Sequence, residues 1–394
     1  MNLLHVVPTY VPAWSHGGPI YSVHGLCRSL VERGHRVSVF TTDVHGTGRL
    51  DVPLAEPVDV EGVEASYFPV SFPRRLYRSP GLARAVRERV GSFDAVHLHS
   101  LFLWPTASAA RAAERAGVPY VIAPRGMLVP ELVARQGRLR KQAWLRLVER
   151  RTLRHAAAFH ATTELEALEA GRFGLPLPPI HVVPNGIDLA PFRDPATPES
   201  PAVREWIGAG PFFLFLGRVN WKKGLDRLIL ALLDLPAVRL AVAGPDEDGH
   251  RAELEELARW GSVGDRVRFL GPVHGGDKLA LLRSARALVL PSTSENFANA
   301  VLESMASGRP VIVTPDVGLA PTVQETGCGL VVAGNPQSLE DALKRLLEDS
   351  DLADEMGRRG CEAAQNFAWS EVAHRMAAVY EEIARSSRQT GAGG

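Results

Sequence analysis

The stretch that most constrains this chain is residues 287–314, ALVLPSTSENFANAVLESMASGRPVIVT. An apolar run ends at Pro291, and Ser292, Thr293 and Ser294 follow as turn and capping residues. From Asn296 the apolar positions Phe297, Val301, Leu302 and Met305 recur at three- and four-residue spacing, until Gly308 and Pro310 stop the pattern. A second strand over 310–314 follows at once. This order predicts an alternating α/β unit with its loop at the carboxyl end of a buried strand, where ligands of open α/β sheets bind.

Two carboxylates give that unit its chemistry. Unpaired N–H groups and the macrodipole at the helix start favour an anion such as a diphosphate. Glu295 stands at the entrance and Glu303 lies eight residues on, a little over two turns, so both are expected to project toward one cleft. A carboxylate repels phosphate but accepts hydroxyl hydrogen bonds, which suits Glu303 to a ribose and Glu295 to a sugar. For an isolated pair of glutamates, the ordinary reading is two solvated helix positions.

PSTSENFANAVLESMASGRPVIVT resembles the Glu-x7-Glu region of the retaining glycosyltransferases of family four. The resemblance implies an α/β chain of GT-B architecture: two doubly wound Rossmann-like domains facing a cleft, with a C-terminal helix crossing back to the first. It implies a donor-sugar contact for Glu295 and a ribose contact for Glu303, with Asn296, Phe297, Ala298 and Asn299 as further donor-binding residues. The family often has Gly after the Phe. Ala298 stands there instead, and its methyl group is expected to shift the donor slightly without loss of function.

With 394 residues the chain is long enough for two domains, each with its own core. Hydrophobic and charged fractions of 45% and 22% are those of a soluble globular protein. No run approaches the roughly 18 apolar residues of a membrane span, and MNLLHVVPTYVP lacks the basic flank of a signal peptide. The three cysteines, Cys27, Cys328 and Cys361, form no Cys-x-x-Cys pair, so a reduced, cytoplasmic setting is expected. Net charge is zero, yet residues 1–190 carry +6 and residues 191–394 carry −6. The basic excess gathers in 72–89 and 134–154, where arginines alternate with Phe, Tyr, Trp and Leu. Such segments suit peripheral contact with the inner face of the cytoplasmic membrane or a charged acceptor, and equally a solvated arginine-rich helix face. No nucleic-acid-binding motif accompanies them.

The chain opens β–loop–α–β: a strand over 2–8, a loop ending in His-Gly-Gly-Pro, a helix from Ile20 to Gly34 and the strand VSVFTT. The loop lacks Gly-x-Gly-x-x-Gly, which counts against a dinucleotide-dependent oxidoreductase. Gly17 and Gly18 resemble the family's Gly-Gly loop near the donor phosphates or the transferred sugar; a plain tight turn explains them as well. Residues 44–80 are expected to be irregular. FDAVHLHS, 93–100, is a strand that puts His97 and His99 on one face. The family places a cleft histidine at the position of His99, whereas a buried, hydrogen-bonded imidazole is the ordinary expectation for both. Pro-Arg-Gly-Met-Leu at 124–128 also resembles the family, and Arg125 leaves its strand where it can pair with a phosphate or an anionic acceptor.

Pro-Asn-Gly-Ile-Asp at 184–188 closes an N-terminal, acceptor-binding domain over 1–190, and the proline-rich run 193–201 reads as a linker. A donor-binding domain over 191–366 then opens with PFFLFLGRVNWKKG, whose strand delivers Gly217 and Arg218. The family uses the Arg and the second Lys of this Arg-x4-Lys pattern, here Arg218 and Lys223, to neutralise the diphosphate and the charge that grows as the sugar leaves. Asp246-Glu247-Asp248 mimics a metal-binding Asp-x-Asp, but the resemblance implies neither metal nor other cofactor. A helix over 367–388 rejoins the first domain, and the tail GAGG is expected to be disordered.

The reading is a retaining, metal-independent glycosyltransferase moving a hexose-like sugar from a nucleoside-diphosphate sugar to an acceptor hydroxyl. Catalysis is assigned to Arg218, Lys223, Glu295 and His99, donor binding to Gly17, Gly18, Gly217, Asn296, Phe297, Ala298, Asn299 and Glu303, and the acceptor side to Arg125. A lipid-linked or polysaccharide precursor is the preferred acceptor. A GT-B-like sugar-nucleotide epimerase and a non-catalytic nucleotide-sugar-binding protein are the alternatives. Donor base, acceptor and linkage position leave no trace in the side chains.

Overall fold

A computed structural model describes residues 1–14, 17–135, 138–194, 197–247 and 249–391. Two compact units divide the chain: Met1–Gly186 together with the segment from Trp369 onward, and Ile187–Ala368. The chain therefore passes between units twice, at 186/187 and 368/369. Positions 195–196 of the expected linker, Asp248 and most of the GAGG tail lie outside the described residues.

The first unit is built on one sheet in the order Ile180–Val182, Ala158–Ala161, Tyr120–Ala123, Ala95–His99, Asn2–Val6, Arg36–Thr42, Val63–Phe68, Pro57–Val60. All neighbours are parallel except the last pair. Strand order reverses between Asn2–Val6 and Ala95–His99, so the loops leaving these two strands flank a switch point. The segment 44–80, expected to be irregular, contains four strands, including the edge hairpin Pro57–Val60 and Val63–Phe68. Its two-residue turn is Glu61-Gly62, with both φ angles positive at 52° and 83°. That is the twist a tight hairpin demands, supplied here by Glu-Gly in place of the more recognisable Asn-Gly or Asp-Gly.

The helix Trp369–Gly391 packs against Gly18–Glu32 and the strand Ala95–His99. Its stripe Val372, Met376, Val379, Tyr380 and Ile383 is buried, as the sequence periodicity requires. At its start, Trp369 is seated between two glycines. A Cβ at Gly25 would lie 2.3 Å from Cε2 of the indole, and one at Gly186 would lie 2.3 Å from Cε3. No side chain larger than hydrogen fits at either position while the ring stays in place.

The second unit holds a six-stranded parallel sheet in the order Val267–Gly271, Leu240–Ala243, Phe213–Leu216, Leu288–Leu290, Val311–Val313, Gly329–Val331. Its strands are nearly continuous apolar runs because helices cover both faces. Here the order reverses between Phe213–Leu216 and Leu288–Leu290. Arg218, Lys223 and Glu295 all follow those two strands.

Charge is scarce inside the first unit, but imidazoles are not. His5, His97, His99 and His160 are all buried. Burial is the largest cause that holds each well below the ordinary histidine range, with Arg125 and, for some, the neighbouring imidazoles adding to it; His5 and His160 fall to about 3. Glu149 behaves oppositely, because burial pushes its carboxyl up to about 7 against hydrogen bonds from the Phe102 amide and the Trp144 indole.

Two outcomes follow from this packing. Gly186→Ala and Gly25→Ala should each lower stability by about 1–3 kcal/mol through overpacking against Trp369; an unchanged Tm for either would contradict the seating of the ring. The imidazoles contribute stability that is present above their unfolded value near pH 6.5 and lost as pH falls toward their depressed folded values. Glu149 contributes stability that is lost as pH rises from about 4.5 through 7, so the lowered imidazoles, which include His24 and His35, outnumber it between pH 6.5 and 4.5. Stability should fall on acidification through that window, at about 1.4 kcal/mol per net proton and pH unit, and Tm with it. A Tm that is flat or rises there would contradict neutral buried imidazoles.

Candidate active site

In the second unit, four consecutive strand ends are stitched into one platform. The Gly217 amide donates to the Ala243 carbonyl at 3.0 Å, and the Val219 and Pro245 stretches exchange further main-chain bonds. The Asn220 side chain accepts from the Lys222 amide and caps the short turn Trp221–Lys223. Lys222 in turn accepts from the Thr293 amide at 2.8 Å, which ties the 217–223 loop to the loop after Leu288–Leu290. Glu295 pairs through its main chain with Asp316 and Gly318 beyond the next strand. Gly224, at φ 65°, lets the chain turn into the helix Leu225–Leu230; a Cβ there would lie 2.3 Å from the Pro291 carbonyl oxygen.

Three cations around this platform have carboxylate partners. Lys223 bonds Glu295, with side chains only 12% and 23% exposed. Lys278, from the helix Gly275–Ser284, bonds Glu303 at 3.0 Å. Arg218 bonds Glu247 at 2.8 Å and is far more open, at 62%. Burial, then Arg218, lowers the Lys222 ammonium from its ordinary value. An anion entering this platform would compete with those carboxylates for the cations.

The helix that carries Glu303 runs Asn299–Ala306 and starts three residues later than its apolar periodicity suggested. Glu295 is therefore in the loop, and the eight-residue spacing to Glu303 is not two helical turns. Ser292, Thr293 and Ser294 do not cap this helix. Its N-cap is Ala298, which offers no side-chain bond. Ala298 adopts a left-handed conformation, φ 73° and ψ 70°, at a cost of about 1–2 kcal/mol for a residue with a Cβ. Phe297 is 3% exposed and packs edge-on to Phe367, so its side chain belongs to the core and only its main chain is left for a ligand. Asn296 precedes Phe297 in the same loop, and Asn299 opens the helix.

In the first unit, Gly17 and Gly18 open the helix Gly18–Glu32. Gly17 has φ 74° and ψ −146°, a region essentially closed to other residues, and no side chain caps the helix. His99 ends its strand beside Arg125, whose guanidinium donates to His99 Nδ1 at 3.3 Å and to the Asn185 side-chain oxygen at 2.9 Å. Ser100, Phe102 and Arg125 all take positive φ, as strained residues near functional sites often do. Glu166 holds the Arg125 loop from below, accepting from the Gly126 and Thr162 amides at 2.7 Å each.

Sequence reasoning missed Lys278, Glu247, Glu166 and Asn185. Glu247, inside the Asp-x-Asp mimic of the sequence, pairs with Arg218 and Asn220; Asp246 accepts from the Arg251 amide at 3.0 Å. Glu166 had a signal, the Thr163-x-x-Glu166 capping box. Lys278 had none.

Residues 17–186 match the family described as "Glycosyl transferase 4-like domain", and residues 197–363 match "Glycosyl transferases group 1". The chain is 32% identical to the D-inositol 3-phosphate glycosyltransferase of Xylanimonas cellulosilytica, over 98% of this chain and 96% of that protein. Its counterpart in Actinosynnema mirum is 30% identical over 96% and 95%. Among solved structures, sucrose-phosphate synthase from Thermosynechococcus elongatus superposes with a TM-score of 0.77 at 20% identity, covering 98% of this chain and 99% of that one. Anabaena HepE, solved in complex with UDP and glucose, gives 0.74 at 18% identity, covering 97% and 100%. The chain belongs to the group 1 glycosyltransferases of GT-B fold, enzymes that transfer a sugar from a nucleoside-diphosphate-sugar donor to an acceptor.

Proposed function

We propose that the second unit binds the donor diphosphate with Arg218, Lys223 and the uncapped start of the helix Asn299–Ala306, and that transfer proceeds with retention. The observation that carries this reading is that Arg218, Lys223 and Glu295 all follow the two switch-point strands, with Glu303 on the helix that comes next. On donor binding, Lys223 and Arg218 turn from Glu295 and Glu247 to the phosphates. Glu295 is then released to a hydroxyl of the transferred hexose, while Glu303, still held by Lys278, accepts from the ribose hydroxyls. As the glycosidic bond to the phosphate breaks, negative charge grows on the leaving oxygen, where the two cations stabilise it more than in the ground state. The departing phosphate takes the acceptor proton on the same face of the sugar, so no enzymic nucleophile is required.

The acceptor is a phosphate-bearing molecule met by the first unit, where Arg125 and His99 stand at the switch point. The curated relatives are named for D-inositol 3-phosphate, which supports an anionic acceptor. A lipid-linked phosphate shares that chemistry. The basic segments support it: Arg87 from 72–89 and Trp144 and Val148 from 134–154 line one hollow with Arg111 and Arg115, and Leu147 beside it is 77% exposed. Among the described residues, no helix is long and apolar enough to cross a membrane, so such contact would be peripheral.

Thermal shift with UDP, GDP and ADP, each with and without EDTA, tests the donor site. One nucleotide should raise Tm regardless of EDTA, by roughly 2.7 kcal/mol of stabilisation at a hundred times its Kd. With the matching sugar donor, Arg218→Ala and Lys223→Ala should each lower kcat about 10²–10³-fold, and Glu303→Gln should mainly raise donor KM. No shift with any nucleotide, or a shift that needs metal, would overturn the reading. Transfer to D-inositol 3-phosphate against a lipid phosphate in vesicles separates the two acceptors.

A further inference from the structure

Four buried imidazoles of the first unit, His5, His97, His99 and His160, form a single file with two fixed ends. Arg125 donates to His99 Nδ1 at 3.3 Å. His99 Nε2 lies 3.1 Å from His5 Nδ1, and His5 Nε2 lies 3.5 Å from the Tyr380 hydroxyl. That hydroxyl is 2.7 Å from His97 Nδ1, His97 Nε2 is 3.3 Å from His160 Nδ1, and His160 Nε2 is 2.8 Å from the Val183 carbonyl. A guanidinium can only donate and a carbonyl can only accept, while a neutral imidazole has one nitrogen for each role. With the ends assigned, every proton between them is assigned. Each imidazole carries its hydrogen on Nε2, and Tyr380 accepts from His5 and donates to His97.

His5, His97 and His99 also bring three ring nitrogens within 4.8 Å of one another, a geometry that a metal ion can use. The chain opposes that use. Each Nδ1 lone pair is already accepting a hydrogen bond, and the Arg125 charge 3.3 Å from His99 would repel a cation. Burial and that same charge keep the rings neutral.

We propose that Tyr380, on the last helix, is a positioning residue that acts through His5 to hold His99 in its Nε2–H tautomer, with the Nδ1 lone pair fixed on Arg125. The helix that closes the chain is thereby coupled to the strand end where the acceptor side of the reaction is built. This inference rests on the roles proposed for His99 and Arg125; the hydrogen-bond chain itself does not.

Nitrogen NMR of the ¹⁵N-histidine-labelled full chain reads the chain directly, whether or not a substrate is known. The expected spectrum has His5, His97, His99 and His160 neutral and protonated at Nε2 at pH 7. Tyr380→Phe deletes the turning hydroxyl. It should shift or broaden His5 and His97 and lower kcat about tenfold, with donor KM within about twofold. His160→Phe, which cuts the chain at its far end, serves where Tyr380→Phe does not fold, and should perturb His97 with a kcat loss in the same direction. Any of these four imidazoles protonated at Nδ1, a stoichiometric metal ion such as zinc bound by the purified protein through these histidines, or an unchanged kcat in a folded variant would each overturn the proposal. Absence of wild-type turnover with every sugar nucleotide would instead fall on the roles of His99 and Arg125, and leave the spectrum to decide the chain.

Discussion

The Lys223–Glu295 ion pair is the interaction on which the rest of the donor platform depends. Two opposite charges mostly removed from water are costly to separate unless another charge takes one of them. The fold places them together because strand order reverses between the two strands that precede them, so their loops share one edge of the sheet. In the proposed reading a diphosphate resolves the competition, since it satisfies the lysine and leaves the glutamate to accept from hydroxyls. The more exposed Arg218–Glu247 pair follows the same logic at lower cost.

Much of this was legible in the residues and some of it was not. The alternation of short apolar runs with helical stripes announced two parallel sheets, because strands buried on both faces have little freedom in composition. The residues of the Arg-x4-Lys and Glu-x7-Glu patterns could be named without coordinates. Their geometry could not. Helical spacing was assumed between Glu295 and Glu303, yet the helix waits for Ala298, whose left-handed backbone no propensity scale anticipates. The edge hairpin was hidden because Glu61-Gly62 makes a turn usually signalled by Asn-Gly. Partners from distant segments, such as Lys278 for Glu303, leave no local pattern at all.

The first unit illustrates a different limit. An alternating strand put His97 and His99 on one face, and for each histidine a buried, hydrogen-bonded ring was the ordinary expectation. What converts separate rings into a directed chain is Tyr380, far along the sequence and delivered by the last helix. The same helix begins at Trp369, whose ring needs Gly25 and Gly186 bare of side chains. Closure of the fold and preparation of the site thus depend on one terminal element.

The central claim is that Lys223 exchanges a carboxylate for a diphosphate, and calorimetric titration tests it most directly. The nucleoside diphosphate and the matching monophosphate are compared in EDTA, on the wild type and on Lys223→Ala. In the wild type the diphosphate should bind about ten- to a hundredfold more tightly, the worth of a charge-assisted bond of about 1.5–3 kcal/mol. In Lys223→Ala most of that margin should vanish while the monophosphate is little changed. An equal margin in both proteins would contradict the account, because the second phosphate would then be held elsewhere.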